Sequence, residues 1–198
     1  MTVRRGMCVP MITVCLLLTA CGGTGEERAE EIRTPYQEMA GCTMEAAVTC
    51  DQEGLEWEAV LHCEYVPGGE STVEVLEPES IAGVKAVLSD TDWYLEYEEE
   101  SLNMGTLGSE TVSPAACLPR LMNALREGWL LEENEEDWSG MPCLRLCLDQ
   151  TGVQGGKIVS TLWLRQDDGT PVRGEIAVDG EIILMAEFTN FSFYDTLK

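Results

Sequence analysis

Chemistry-bearing residues are scarce in this chain. Its 198 residues include one histidine, His62, and only 12 lysines and arginines against 36 aspartates and glutamates. A Ser-His-Asp or Cys-His arrangement would have to be built around that single histidine, which alternation puts on the polar face of a strand. No GxSxG elbow, P-loop, GxGxxG or HExxH occurs, which removes the sequence signatures of α/β-hydrolases, P-loop NTPases, dinucleotide-binding folds and zincins. There is no CxxC and no CxxxH around His62, so a zinc site lacks its spacing. The acid runs Glu98-Glu99-Glu100 and Glu132 to Asp137 lack the glycine-broken spacing of an EF-hand loop and read as solvated loops. No residue is singled out as catalytic or metal-binding, and nothing calls for a cofactor. A formal net charge of −24 argues against nucleic acid and anionic headgroup surfaces as partners.

What is present begins at the N-terminus. Arg4 and Arg5 precede an apolar stretch, Met11 to Leu18, that is too short to cross a hydrocarbon core of about 30 Å. The tetrapeptide Leu18-Thr19-Ala20-Cys21 follows directly and resembles the lipobox of bacterial lipoproteins. That resemblance implies removal of residues 1–20 and a diacylglyceryl group on the thiol of Cys21, the new first residue. Two or more acyl chains hold a protein stably at a bilayer, at roughly 0.8 kcal/mol per buried methylene. The expected location is therefore outside the cytoplasm, tethered to the cell membrane; the alternative is an ordinary secretory signal ending near a cysteine. Residues 21–33 read as an acylated N-terminus and flexible linker carrying a helical start, which Pro35 would interrupt. Residues 34–198 read as one domain. Loss of Arg4 and Arg5 leaves 10 basic residues, so the mature chain carries −26.

Cys8 and Cys15 leave with the signal and Cys21 is the lipid site, leaving Cys42, Cys50, Cys63, Cys117, Cys143 and Cys147. An exported chain can pair such residues as disulfides, or keep them as small buried apolar side chains in an anaerobic setting. Both remain open. Cys143 and Cys147 share a strand face two pleats apart, roughly 13 Å, too far to bond each other in a regular strand.

From Cys42 onward the apolar period is two. Met44, Ala46, Val48 and Cys50 share one face of a first strand, and Trp57, Ala59, Leu61, Cys63 and Tyr65 one face of a second. A four-residue hairpin at Asp51-Gln52-Glu53-Gly54 would set Cys42 opposite Cys63, where a cross-strand disulfide is conceivable. Further strands read at about 71–77, 84–89, 93–99, 142–149, 157–166, 171–178 and 181–193. Ser113 to Glu127 reads as a helix, with Ser113 as cap, Pro114 at the first helical position and Gly128 at its end. Its Leu118, Leu121, Met122 and Leu125 form an apolar stripe. Many short connections between strands with one or two helices on one face make the fold class α+β.

Three segments in the last third point to a family: Thr161-Leu162-Trp163-Leu164, Asp168-Gly169-Thr170-Pro171-Val172 and Glu187-Phe188-Thr189-Asn190-Phe191. With Trp93 to Tyr97 and Asp137-Trp138 ahead of Met141-Pro142-Cys143, they resemble the LolA/LolB-like lipoprotein-sorting and carrier superfamily over residues 34 to 194. The resemblance implies an open antiparallel β half-barrel whose concave face is covered by helices around an apolar cavity that holds acyl chains or other lipids. By parity the inward strand residues are Met44, Ala46, Val48, Trp57 and Leu61, then Trp93, Leu95 and Tyr97, then Leu162, Leu164, Ile176, Leu184 and Phe188. Leu121 and Leu125 reach in from the covering helix.

Two non-catalytic functions follow. In the first, a membrane-anchored lipoprotein binds a lipid or other amphiphile in the cavity by burial alone. In the second, the interior is packed solid and an acidic interaction or sensor protein acts on a membrane or wall partner. A continuous cavity favours the first and a filled core the second.

Overall fold

The computed structural model describes residues 25–52, 55–89, 92–106, 112–152 and 156–194; the signal segment, Cys21 and the turn residues Glu53 and Gly54 lie outside the described residues. Eleven strands form one antiparallel sheet in the order β6-β5-β4-β3-β2-β1-β11-β10-β9-β8-β7. The first six are β1 (Cys42–Gln52), β2 (Leu55–Tyr65), β3 (Ser71–Glu77), β4 (Lys85–Leu88), β5 (Trp93–Tyr97) and β6 (Glu100–Gly105). The other five are β7 (Trp129–Trp138), β8 (Met141–Asp149), β9 (Ile158–Arg165), β10 (Pro171–Val178) and β11 (Glu181–Phe193). Two meanders thus meet where β1 pairs with β11. The strands next to one another in sequence at β6 and β7 are the two opposite edges of the sheet, which therefore is not closed. The chain must return from one edge to the other, and the crossing carries helix α2 (Cys117–Glu127). A second helix, α1 (Gly25–Glu38), precedes β1. The arrangement is consistent with an open half-barrel.

The first hairpin shows how alternation sets the register. Met44 pairs with Cys63, Ala46 with Leu61, Val48 with Ala59 and Cys50 with Trp57, so both apolar faces fall on the same side. The expected register is displaced by two residues. Pairing continues to Gln52 opposite Leu55, so Asp51 and Gln52, expected in the turn, belong to β1. Cys42 therefore faces Tyr65, not Cys63, and both thiols are free, as are Cys50, Cys117, Cys143 and Cys147.

Several other expectations are corrected. Helix α1 starts at Gly25, inside the segment read as linker, and runs through Pro35. Its neighbour Thr34 donates its hydroxyl to the Glu30 carbonyl at 2.8 Å, a back-bond of the kind that bends helices. Ser113 makes no side-chain cap bond; Pro114 to Ala116 form a 3-10 turn ahead of α2. Glu98 and Glu99 form a turn, with Glu98 at φ 53°, and Glu100 opens β6. The Glu132 to Asp137 run is not a loop but the centre of the edge strand β7. Charged side chains on an edge discourage pairing with another chain, so that composition suits its place.

The core lies on one face of the sheet. Inward residues of β1, β2, β3, β8, β9, β10 and β11 meet Leu118, Leu121, Met122 and Leu125 of α2 and Tyr36 of α1. Helix α2 touches α1, β2, β8, β9 and β10. Arg33 of α1 fastens the two helices: its Nε donates to the Leu125 carbonyl and its Nη2 to the Gly128 carbonyl, both at 2.8 Å. Those carbonyls belong to the end of α2, where the last turn has no helical donors of its own.

Candidate functional site

The inward residues named from sequence divide into two groups. Met44, Ala46, Val48, Leu61, Leu121, Leu125, Leu162, Leu164, Ile176 and Leu184 are all at most 2% exposed and pack against one another. The gap left beneath α2, lined by Val48, Cys117, Leu121, Gly174 and Ile176 among others, is about 140 Å³ and leaves no room for a water molecule. This half is filled by its own side chains. Trp57, Trp93, Leu95 and Phe188 are only half-buried at the margin of that core, and Tyr97 is 50% exposed.

The division follows one row of the sheet. Pairing aligns Met44, Cys63, Val73, Ala86, Leu95 and Leu102 across β1 to β6. Exposure along it is 1%, 0%, 2% and 3% through Ala86; Leu95 is half-buried and Leu102 is 62% exposed. The apolar face continues to the sheet's edge, but its cover stops at β4. We call the uncovered part, β5 and β6, the wing. Leaving large apolar side chains such as Leu102 and Tyr97 in water forgoes the transfer free energy their burial would supply, of order 25 cal/mol per Å².

Between the wing and α2 runs a groove of about 790 Å³. Its floor is inward sheet surface, Tyr65, Ser71 and Leu88. Its wall is the second face of α2: Pro119 and Arg120, then Asn123, then Arg126 and Glu127, at helical spacing. That polar face of α2 looks onto the sheet. Arg126 Nη1 donates to Tyr65 Oη at 3.3 Å and pairs with Glu127 at 3.3 Å, while the Tyr65 hydroxyl donates to Asn123 Oδ1. Gln150 donates to the Arg120 carbonyl at 3.0 Å. Burial raises the Tyr65 hydroxyl above its usual pKa and lowers that of the Arg120 guanidinium. Sequence reading missed these residues; the only signal was the three-to-four spacing of the polar positions on α2, which by itself looks like a face turned to solvent.

The opposite face of the sheet carries a second cluster. Arg173 stacks over Trp138 at 4.4 Å and lies 5.6 Å from Trp163, which Arg145 also approaches at 5.6 Å. Arg173 Nη2 pairs with Glu175 at 2.6 Å, both side chains being about 15% exposed. Cys143 and Cys147 share this face, as their strand parity requires. His62, half-exposed, sits 3.7 Å from Glu45 and 3.8 Å from Glu64. Among the described residues no three His, Cys, Asp or Glu side chains are grouped to hold a metal ion, and no helix is long and apolar enough to cross a membrane.

No family model and no curated protein matches the chain by sequence. Solved structures do match the architecture. A LolA superfamily protein from Nitrosomonas europaea superposes with a TM-score of 0.50 at 13% identity, over 88% of this chain and 95% of that one. The fold is LolA-like. A domain assigned to outer-membrane lipoprotein sorting in Vibrio parahaemolyticus matches with the same score and coverage at 9% identity. A DUF1329 family protein from Desulfovibrio piger does so at 14% identity, over 88% and 93% of the two chains. At these identities the likeness concerns the LolA-like backbone, and the side chains described above belong to this chain alone.

Proposed function

We propose that this is a lipid-anchored, extracytoplasmic protein that binds an apolar or amphiphilic ligand on its LolA-like scaffold by burial, without chemistry. Cys21 carries the anchor, and the two helices cover the concave face of the half-barrel. The ligand lies on the wing and in the adjoining groove, not among the packed residues beneath α2. The observation that supports this reading is the apolar row from Met44 to Leu102, whose inward face extends beyond its helical cover. Trp93, Leu95 and Leu102 offer the surface that an acyl chain would remove from water. No cofactor or nucleic acid enters the reading.

The filled half supports a second reading, a non-catalytic sensor or interaction protein whose acidic surface meets a membrane or wall partner. Native mass spectrometry of the mature protein with lipid analysis separates the two. A stoichiometric lipid that is lost in Leu95→Asp, with the fold intact by circular dichroism, supports ligand binding. A ligand-free protein that also takes up nothing from vesicles supports the second reading.

A further inference from the structure

In a chain carrying 36 acidic and 12 basic residues, two arginines, Arg120 and Arg126, converge on one inner groove beside α2, and among the described residues the one carboxylate lining it belongs to Glu127. The Glu127 side chain is 73% exposed, whereas that of Arg126 is 19% exposed. Ion pairing so open to solvent neutralises little of a shielded guanidinium. Arg126 also retains unspent donor capacity: its Nε is buried and finds no acceptor among the described residues. A buried donor without a partner is costly, and native structures provide one or hold the site ready for one.

The groove is also continuous with the wing. Leu88, on its floor, pairs across the sheet with Trp93, and Trp93 pairs with Gly105, the neighbour of the groove residue Thr106. A cationic, hydrogen-bonding compartment therefore passes directly into an apolar shelf. We infer that the groove receives the anionic headgroup, phosphate or carboxylate in chemistry, of an amphiphile whose chain lies on Trp93 and Leu95. Arg120 and Arg126 are the specificity-determining residues, because guanidinium groups match the planar or tetrahedral oxygens of such anions. This rests on the ligand-binding reading above and adds the sign of the headgroup charge.

The test uses the full-length protein and three probes: dodecyl phosphate, dodecyl maltoside and inorganic phosphate, titrated below the micellar range and followed by tryptophan fluorescence and calorimetry. Dodecyl phosphate is expected to bind at least about tenfold more tightly than dodecyl maltoside, the discrimination given by one or more charge-assisted bonds. Arg126→Gln is expected to remove that preference. Arg120→Gln provides an independent variant should Arg126→Gln melt early, and the comparison of probes on the unaltered chain needs neither. Equal binding of the two dodecyl compounds overturns the headgroup inference and leaves ligand binding standing. Displacement of dodecyl phosphate by an equal concentration of inorganic phosphate overturns the amphiphile in favour of a free anion. Binding of neither dodecyl compound overturns both readings together.

Discussion

Leu121 of α2 lies directly against Gly174 of β10: a β-carbon added at Gly174 would stand 2.6 Å from Leu121 Cδ1 and 3.1 Å from Cδ2. The crossing helix thus rests on the sheet at a residue with no side chain, and the closeness of that seat explains why so little space remains beneath it. Gly174→Ala is expected to push the helix outward and to cost about 1–3 kcal/mol, the usual range for overpacking a tight core. Leu121→Ala removes the opposing side chain, leaves a cavity and costs about 2–5 kcal/mol. The double variant restores part of the fit, so its loss in urea denaturation should fall short of the sum of the two single losses.

Arg33 holds α1 to the end of α2 through two carbonyls, and it is 7% exposed. Arg33→Met keeps much of the aliphatic bulk but leaves the Leu125 and Gly128 carbonyls without these donors. Each buried acceptor left unpaired costs about 1–3 kcal/mol. The expected loss is about 2–4 kcal/mol in urea denaturation, with hydrogen exchange rising first in the last turn of α2 and in α1. A loss confined to α1 would mean that the bonds hold that helix alone.

The hairpin β10–β11 was legible from sequence at both ends. Its turn residues Asp179 and Gly180 adopt φ values of 52° and 91°, the left-handed conformation that the Asp-Gly pair announces. The edge strands were not. Every residue of β6 up to Met104 is exposed, and β7 carries charge on half of its positions, so neither shows the in-and-out alternation that pairing with one buried face imposes. Parity assigned Met44 and Leu95 to the same face correctly, yet it had no means of telling that one would be covered and the other left at the rim. Cover depends on where α2 crosses, a contact between segments distant in sequence. The groove was hidden for the same reason, since Arg120 and Arg126 acquire their setting only when α2 packs against β2 and its polar face borders the groove.

Arg173 and Glu175 form a shielded ion pair beneath Trp138 on the opposite face of the sheet. Removing one partner leaves the other charge partly desolvated. Glu175→Gln should therefore cost less than Arg173→Ala, which also removes the stacking surface over Trp138. An expected loss of about 2–4 kcal/mol for Arg173→Ala is accompanied by a change in tryptophan emission as Trp138 gains contact with water. Arg173→Met combined with Glu175→Met should be milder than Arg173→Ala alone, because no unpaired charge remains. If the double variant is instead the least stable, the pair contributes net stability.

The buried thiols give the protein a defined weakness toward alkali. Burial pushes Cys42 and Cys117 up to about 12, against about 8.5 for a thiol in an unfolded chain. From about pH 8.5 the unfolded chain sheds these protons while the native state keeps them, so the unfolded state binds fewer protons and stability declines as pH rises, by about 1.4 kcal/mol per thiol per unit. Below that pH both states are protonated and the two thiols contribute no slope. Between pH 8.5 and 10 the pair accounts for a loss of about 3–4 kcal/mol. Guanidinium denaturation under reducing conditions should show that decline in the unaltered protein. Cys42→Ala with Cys117→Ala should start from a lower stability at pH 7, through the space the sulfurs leave, and then lose markedly less between pH 8.5 and 10. Parallel declines in the two proteins would assign the alkaline loss to other groups and place the two thiols in contact with solvent.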